Sequence, residues 1–180
     1  KLPQSLGDLT KLIKLSIYSN QLTSIPNSIG KLTNLIELNL HDNQLSKLPA
    51  SIGDLSQLKR LKVDRNNITA LPQSISKLKK LVKLQINHNE LKSLPKNICA
   101  INFDKNNLQS FISGNNYLCE DVPDCVENLP GFNYEYDAIG FPLYEPQNCV
   151  ICDPGFRGII NTPENITNSD KSNCFYKSDL

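Results

Sequence analysis

The chain has 180 residues, of which 39% are hydrophobic and 21% charged, with a formal net charge of +1. No apolar run approaches the length of a membrane-spanning helix, which excludes such a span from this segment. The small net charge hides two unlike parts: residues 1–110 carry 16 Lys and Arg against 7 Asp and Glu, and residues 111–180 carry 3 against 11. Only Tyr18 and Phe103 among the aromatic residues precede residue 111. Two regions with different physics therefore meet near that point. The basic region has no aromatics interleaved for base stacking, so nucleic acid is not the expected partner, and its lysines read as solvation of an outer surface.

Taken in chain order, the sequence opens at Lys1-Leu2-Pro3, halfway through a repeating unit, and contains no methionine. This predicts that earlier repeats and a signal peptide precede it. From there, Asn20, Asn43, Asn66 and Asn89 recur every 23 residues, as do Pro3, Pro26, Pro49, Pro72 and Pro95. A fixed period of this size means stacked copies of one small unit. Between those markers the apolar positions fall into columns, for example Leu35, Leu38, Leu40, Leu45, Leu48, Ile52 and Leu55, then Leu58, Leu61, Val63, Ile68, Leu71, Ile75 and Leu78. The LxL piece has a period of two, so it predicts a short strand with its leucines turned inward. Stacking sets these strands about 4.8 Å apart in a parallel sheet. The asparagine amide can donate and accept at once, which suits it to satisfy backbone groups at a buried turn. Proline lacks an N–H and belongs in the half of the unit that makes no ladder.

The pattern LxxLxLxxNxLxxLPxxIGxL, over roughly residues 1–111, resembles leucine-rich repeats. The LPxxIGxL half is similar to repeats of Ras-group intracellular scaffolds and of plant and protist surface receptors. The resemblance implies an α/β solenoid: a curved right-handed coil with a concave parallel β-sheet and short helical or 3-10 turns on the convex side. Beyond Asn89 the period breaks. Ile101, Phe103, Asn106, Leu108 and Phe111 repeat the strand-and-turn pattern after only 17 residues, which predicts a shortened, capping last coil. The expected division is residues 1–111 as repeats (a partial first, four full and a shortened last), 112–131 as a disulfide cap, and 132–180 as a cysteine-containing extension.

All six cysteines, Cys99, Cys119, Cys125, Cys149, Cys152 and Cys174, lie in or after the last coil. An even count in a loop-rich stretch reads as a disulfide framework and an oxidising compartment. Cys149-x-x-Cys152 alone could suggest zinc, but the region has no histidine and no second close pair, so no metal and no cofactor is expected. Ser113-Gly114-Asn115-Asn116-Tyr117-Leu118-Cys119 with Pro123-Asp124-Cys125 resembles the C-terminal cap of plant-type extracellular leucine-rich repeats, which implies a Cys119–Cys125 bridge. Glu120 departs from that pattern. Cys152-Asp153-Pro154-Gly155-Phe156-Arg157-Gly158 before Cys174 resembles the second half of an EGF-like module, which implies a Cys152–Cys174 pair and leaves Cys99 with Cys149. Two Asn-x-Thr sequons, at Asn67 and Asn165, are candidate glycosylation sites.

Strand positions between the inward leucines point out onto the concave face. Four columns result: Lys14, Glu37, Arg60, Lys83; Ser16, Asn39, Lys62, Gln85, Asn102; Tyr18, His41, Asp64, Asn87, Asp104; and Ser19, Asp42, Arg65, His88, Lys105. The candidate binding residues are Tyr18, Asn39, His41, Arg60, Lys62, Asp64, Arg65, Lys83, Gln85, Asn87 and His88, with a plain solvated sheet face as the competing reading. Partners could instead use the aromatic stretch Tyr134, Tyr136, Phe141 and Tyr144, unless those rings pack onto the coil. His41 and Asp42 are sequence neighbours that diverge, no nucleophile motif accompanies the histidines, and no phosphate loop is present, so no catalysis is expected. The first reading is an extracellular or cell-surface recognition or adhesion module for a protein or glycan. The alternatives are a structural subunit of an extracellular assembly, through self-association or contact with other subunits, and an intracellular Ras-group-like scaffold.

Overall fold

The computed structural model describes residues 1–104, 106, 110–114, 116, 118, 122–127 and 129, and the backbone of four short strands within 134–176. The four full repeats fold as predicted. Five parallel strands, β1 (Lys14–Ser16), β2 (Glu37–Asn39), β3 (Arg60–Lys62), β4 (Lys83–Gln85) and β5 (Phe111–Ile112), form one sheet in sequence order. Leu15 pairs with Leu38, Leu38 with Leu61 and Leu61 with Leu84, so each coil matches the next one 23 residues on. Leu38, Leu61 and Leu84 are all 0% exposed, as the alternation required.

The proline marks the other side of each coil. Pro3, Pro26, Pro49 and Pro72 each precede a 3-10 turn: Gln4–Asp8, Asn27–Lys31, Ala50–Asp54 and Gln73–Lys77. Their φ values lie between −74° and −67°, which the ring favours. Each proline carbonyl accepts from the amide three residues on, as in Ile52 N to Pro49 O at 3.0 Å. Buried Ile29, Ile52 and Ile75 carry this side into the shared core.

Adjacent turns touch at the glycines of the IG pair. A Cβ on Gly53 would lie 2.7 Å from Ser74 Cβ and closer still to the Ser74 carbonyl oxygen. Gly53→Ala is therefore expected to cost about 2 kcal/mol by overpacking, read as a lower urea midpoint with unchanged slope. The fourth coil has Ser76 at this place, buried and bonded through Oγ to Gln73 O at 3.0 Å. It faces a shorter turn, Ile98–Ala100.

The asparagines hold the opposite edge. Asn66 Oδ1 accepts from Leu45 N at 2.9 Å, and its Nδ2 donates to Leu40 O and Val63 O, both at 3.0 Å. Asn43 and Asn89 repeat this pattern one coil earlier and one later.

The last coil differs from expectation. Asn106 is exposed, and its own N–H bonds to Asp104 Oδ1 at 2.9 Å in a local turn. The ladder position belongs to Asn116, whose Oδ1 accepts from Leu91 N at 3.0 Å and whose Nδ2 donates to Ile86 O at 3.0 Å. Strand β5 accordingly starts at Phe111, paired with Leu84, and spans the predicted end of the repeats. Gln85 pairs with Ile112, and His88 N bonds to Gly114 O, so Asn102 and Asp104 drop out of the concave columns. Phe111 is fully buried, edge-on to Phe103 with centroids 5.1 Å apart. Leu108 and Lys105 lie outside the described residues.

The cap closes through a different bridge from the one the motif implied. Cys99, in the Ile98–Ala100 turn, is bonded to Cys125 in the helix α1 (Asp124–Glu127), with Cα atoms 5.7 Å apart. This replaces both the Cys119–Cys125 and the Cys99–Cys149 pairings. The bridge ties the cap to the convex turn, and Leu118, Val126 and Leu129 cover the open end of the core. Cys119, Cys149, Phe141 and Asn165 lie outside the described residues. Further on, β6 (Tyr134–Tyr136) pairs antiparallel with β7 (Pro142–Tyr144), and β8 (Val150–Cys152) with β9 (Cys174–Tyr176), in a register that sets Cys152 opposite Cys174. Among the described residues, no helix is long and apolar enough to cross a membrane.

Candidate functional site

The sheet register decides what shares the concave face. Leu38 and its equivalents point inward, so the flanking residues point out. Arg60 stands beside Glu37 on one side and Lys83 on the other, and Lys62 beside Asn39 and Gln85. The ladder continues beyond the strands: Asp42 N bonds to Asp64 O and Arg65 N to Asn87 O, both at 3.0 Å. It thereby keeps Tyr18, His41, Asp64 and Asn87 in one row. The structure thus brings together most of the candidate residues on one face.

Two contacts organise the face. Arg60 donates through Nε and Nη2 to Glu37 Oε2 at 3.1 and 2.9 Å. Those bonds hold the Glu37 carboxyl below its usual range, against an opposing push from burial. A depressed carboxyl stabilises the fold above its unfolded value and loses that contribution as pH falls through the folded one. For so exposed a pair the contribution is under about 1 kcal/mol. Lys83 is pushed down first by burial and then by the neighbouring charge of Lys62. The second contact joins His41 Nδ1 to Asp64 Oδ2 at 2.6 Å across adjacent coils. The His41 backbone N–H also donates to Asn39 Oδ1 at 3.1 Å.

The residue pairing missed at the sequence level is His41 with Asp64. Asp42 was the nearer carboxylate along the chain, but it turns away. Ser19, Asp42, Arg65 and His88 all adopt left-handed backbone, with φ of 52°, 54°, 53° and 50°. The chain reverses there to reach the ladder asparagine that follows. Since a β-branched residue is strained at that φ, Asp42→Val is expected to destabilise by about 1–2 kcal/mol. Asp42→Gly should be tolerated in the same chemical denaturation series.

Between these rows lies an open cup of about 290 Å³ lined by Tyr18, Asn39, His41, Lys62, Asp64 and Gln85. Tyr18 is 56% exposed at its rim, whereas Asp64 is only 8% exposed. Among the described residues, no group of three or more His, Cys, Asp or Glu side chains is arranged to hold a metal ion.

Comparison with known proteins agrees with this architecture. Residues 10–56 match a family model described as leucine-rich repeats in two copies. No curated protein matches the chain. Among solved structures, a leucine-rich-repeat protein of Leptospira interrogans is 31% identical over 71% of this chain and 37% of its own, with a TM-score of 0.53. The PEPR1–AtPEP1 structure is 30% identical over 71% of this chain and 18% of that one, with a TM-score of 0.60. The ectodomain of the Arabidopsis thaliana membrane receptor kinase GASSHO1/SCHENGEN3, solved in complex with CASPARIAN STRIP INTEGRITY FACTOR 2, is 28% identical over 72% of this chain and 16% of its own, with a TM-score of 0.56. The chain thus spans well under half of each of these proteins. Taken with the strand register and the asparagine ladder, these matches establish that the repeat region of this chain is a leucine-rich-repeat solenoid.

Proposed function

We propose that this chain is an extracellular or cell-surface recognition module that binds a protein or glycan ligand through the concave face of its sheet. The observation that carries this reading is the row-by-row alignment of outward polar side chains on four consecutive strands, β1 to β4, of the sheet. Such a face holds its groups in fixed positions before a ligand arrives, which limits the ordering cost of binding. The receptor-kinase ectodomain solved in complex with CASPARIAN STRIP INTEGRITY FACTOR 2 lends support by similarity.

Secretion is supported by the Cys99–Cys125 bridge and by the concentration of the other cysteines after residue 111. The register opposite Cys174 supports a Cys152–Cys174 pair in a partly EGF-like extension. Asn67 is exposed, with Thr69 also exposed two residues on, and supports a glycan at that edge. Asn165 is the second proposed glycan site. Thiol labelling under denaturing conditions separates this reading from an intracellular scaffold. Secretion predicts no labelled thiol at Cys99 or Cys125, and six labelled thiols would reject it.

The face itself is tested by replacing Arg60, Lys62 and Arg65 together with alanine. Retention of binding partners from an extracellular extract on the immobilised full chain should fall by at least about tenfold. Unchanged retention would move binding off the sheet.

A further inference from the structure

The cup on the concave face has a chemistry of its own. Two of its acceptors, Asp64 Oδ1 and Gln85 Oε1, are buried and receive no hydrogen bond from the protein. Asp64 spends its other oxygen on His41. A buried acceptor left in this state is unfavourable, so the cup favours a ligand that brings donors. The neighbouring charges limit which donors. Lys62 lines the cup and Lys83 stands on the next strand, whereas Arg60 is paired with Glu37, so an ammonium or guanidinium ligand meets like charge at Lys62. A carboxylate or phosphate finds Lys62 but also meets the Asp64 carboxylate, and it supplies no donor for either bare oxygen.

A hydroxyl resolves this conflict, because it donates to one group and accepts from another. Several hydroxyls on one ring could serve Asp64 and Gln85 as acceptors and Lys62 as donor together. The two oxygens lie beneath the cup's surface, so the ligand reaches them only when the side chains over them shift. Tyr18 adds an exposed apolar ring face at the rim, against which the C–H face of a sugar can lie. The cup's volume, about 290 Å³, sits at the lower limit of pockets for drug-sized ligands, which suits a single ring.

We propose that this cup binds one uncharged pyranose ring of a glycan, held by hydrogen bonds to Asp64, Gln85 and Lys62 and stacked on Tyr18. The proposal rests on the concave face being the binding surface and narrows its ligand to a sugar.

The test is a heteronuclear NMR titration of the full chain with the methyl α-glycosides of D-glucose, D-mannose and D-galactose. At least one should shift the amides of Tyr18, His41, Asp64 and Gln85 with a dissociation constant on the order of 1 mM. Tyr18→Ala and Gln85→Leu should each weaken it by about tenfold. Tyr18 is exposed and Gln85 only partly buried, so both variants are expected to fold, and an unchanged melting temperature verifies this. The same titration uses sodium acetate, lysine methyl ester and N-acetyl-asparagine methylamide. Tighter saturation of these amides by any of the three overturns the sugar assignment in favour of an anion, a cation or a peptide. Absence of shifts with all three glycosides also overturns it, as does glycoside binding that neither variant weakens. If the glycosides fail while the Arg60, Lys62 and Arg65 triple variant still loses its partner, the sugar class alone is rejected.

Discussion

Replacing Asn66 with alanine will destabilise the coil by about 4 kcal/mol, a large part of the stability of a domain this size. The side chain accepts from Leu45 N and donates to Leu40 O and Val63 O, and so ties two consecutive coils together. Asn66 is 7% exposed, so water does not readily replace these bonds. Alanine leaves one buried donor and several carbonyls short of a partner, each costing about 1–3 kcal/mol before relaxation. The comparison is Asn20→Ala. Asn20 is exposed, and its side chain donates to Tyr18 O at 2.9 Å within its own turn, so its removal should cost less than about 1 kcal/mol. Urea unfolding of the two variants measures both. Equal losses would mean that the asparagines do not work as an inter-coil ladder.

Removing the Cys99–Cys125 bridge by Cys99→Ser with Cys125→Ser is the second large effect. The bridge closes a loop with a sequence separation of 26. On the chain-entropy account that corresponds to about 3.5 kcal/mol of stability. The loss should begin at the cap, because Leu118, Val126 and Leu129 cover the end of the core there. Hydrogen exchange should therefore quicken first at the amides of Ile86 and His88, which bond to the β5 segment, and later at those of Leu40 and Asp42. A uniform change along the coil would show instead that the bridge acts only on the unfolded chain.

How far these features could be read from sequence depended on whether neighbours in space were a fixed step apart in the chain. Leu38, Leu61 and Leu84 were legible because each repeats its predecessor's environment, and the same step identified the outward columns. It also contained the His41–Asp64 contact, since the two are 23 residues apart in one column. Along the chain Asp42 is the nearer carboxylate, but the contact runs across to Asp64 on the next coil. The last coil was misread because two frames compete. Phe103 and Asn106 imitate the strand-and-turn pattern, whereas the true frame runs through Phe111, Ser113 and Asn116. Ser113 fills a place that the other coils give to an aliphatic residue, yet it is 0% exposed. That polar residue concealed the frame. The Cys99–Cys125 bridge was hidden for a related reason. Cys119 is closer to Cys125 in sequence and sits in the cap motif, but the fold brings the turn carrying Cys99 against α1.

The most direct test of the stacked coil is native-state hydrogen exchange at Leu22, Leu45, Ile68 and Leu91, whose amides donate to the asparagine of the following coil. The account predicts that Leu45, Ile68 and Leu91 exchange only through global unfolding, with Leu22 faster at the first coil. Exchange of Leu45 and Ile68 at the rate of exposed loop amides would contradict it.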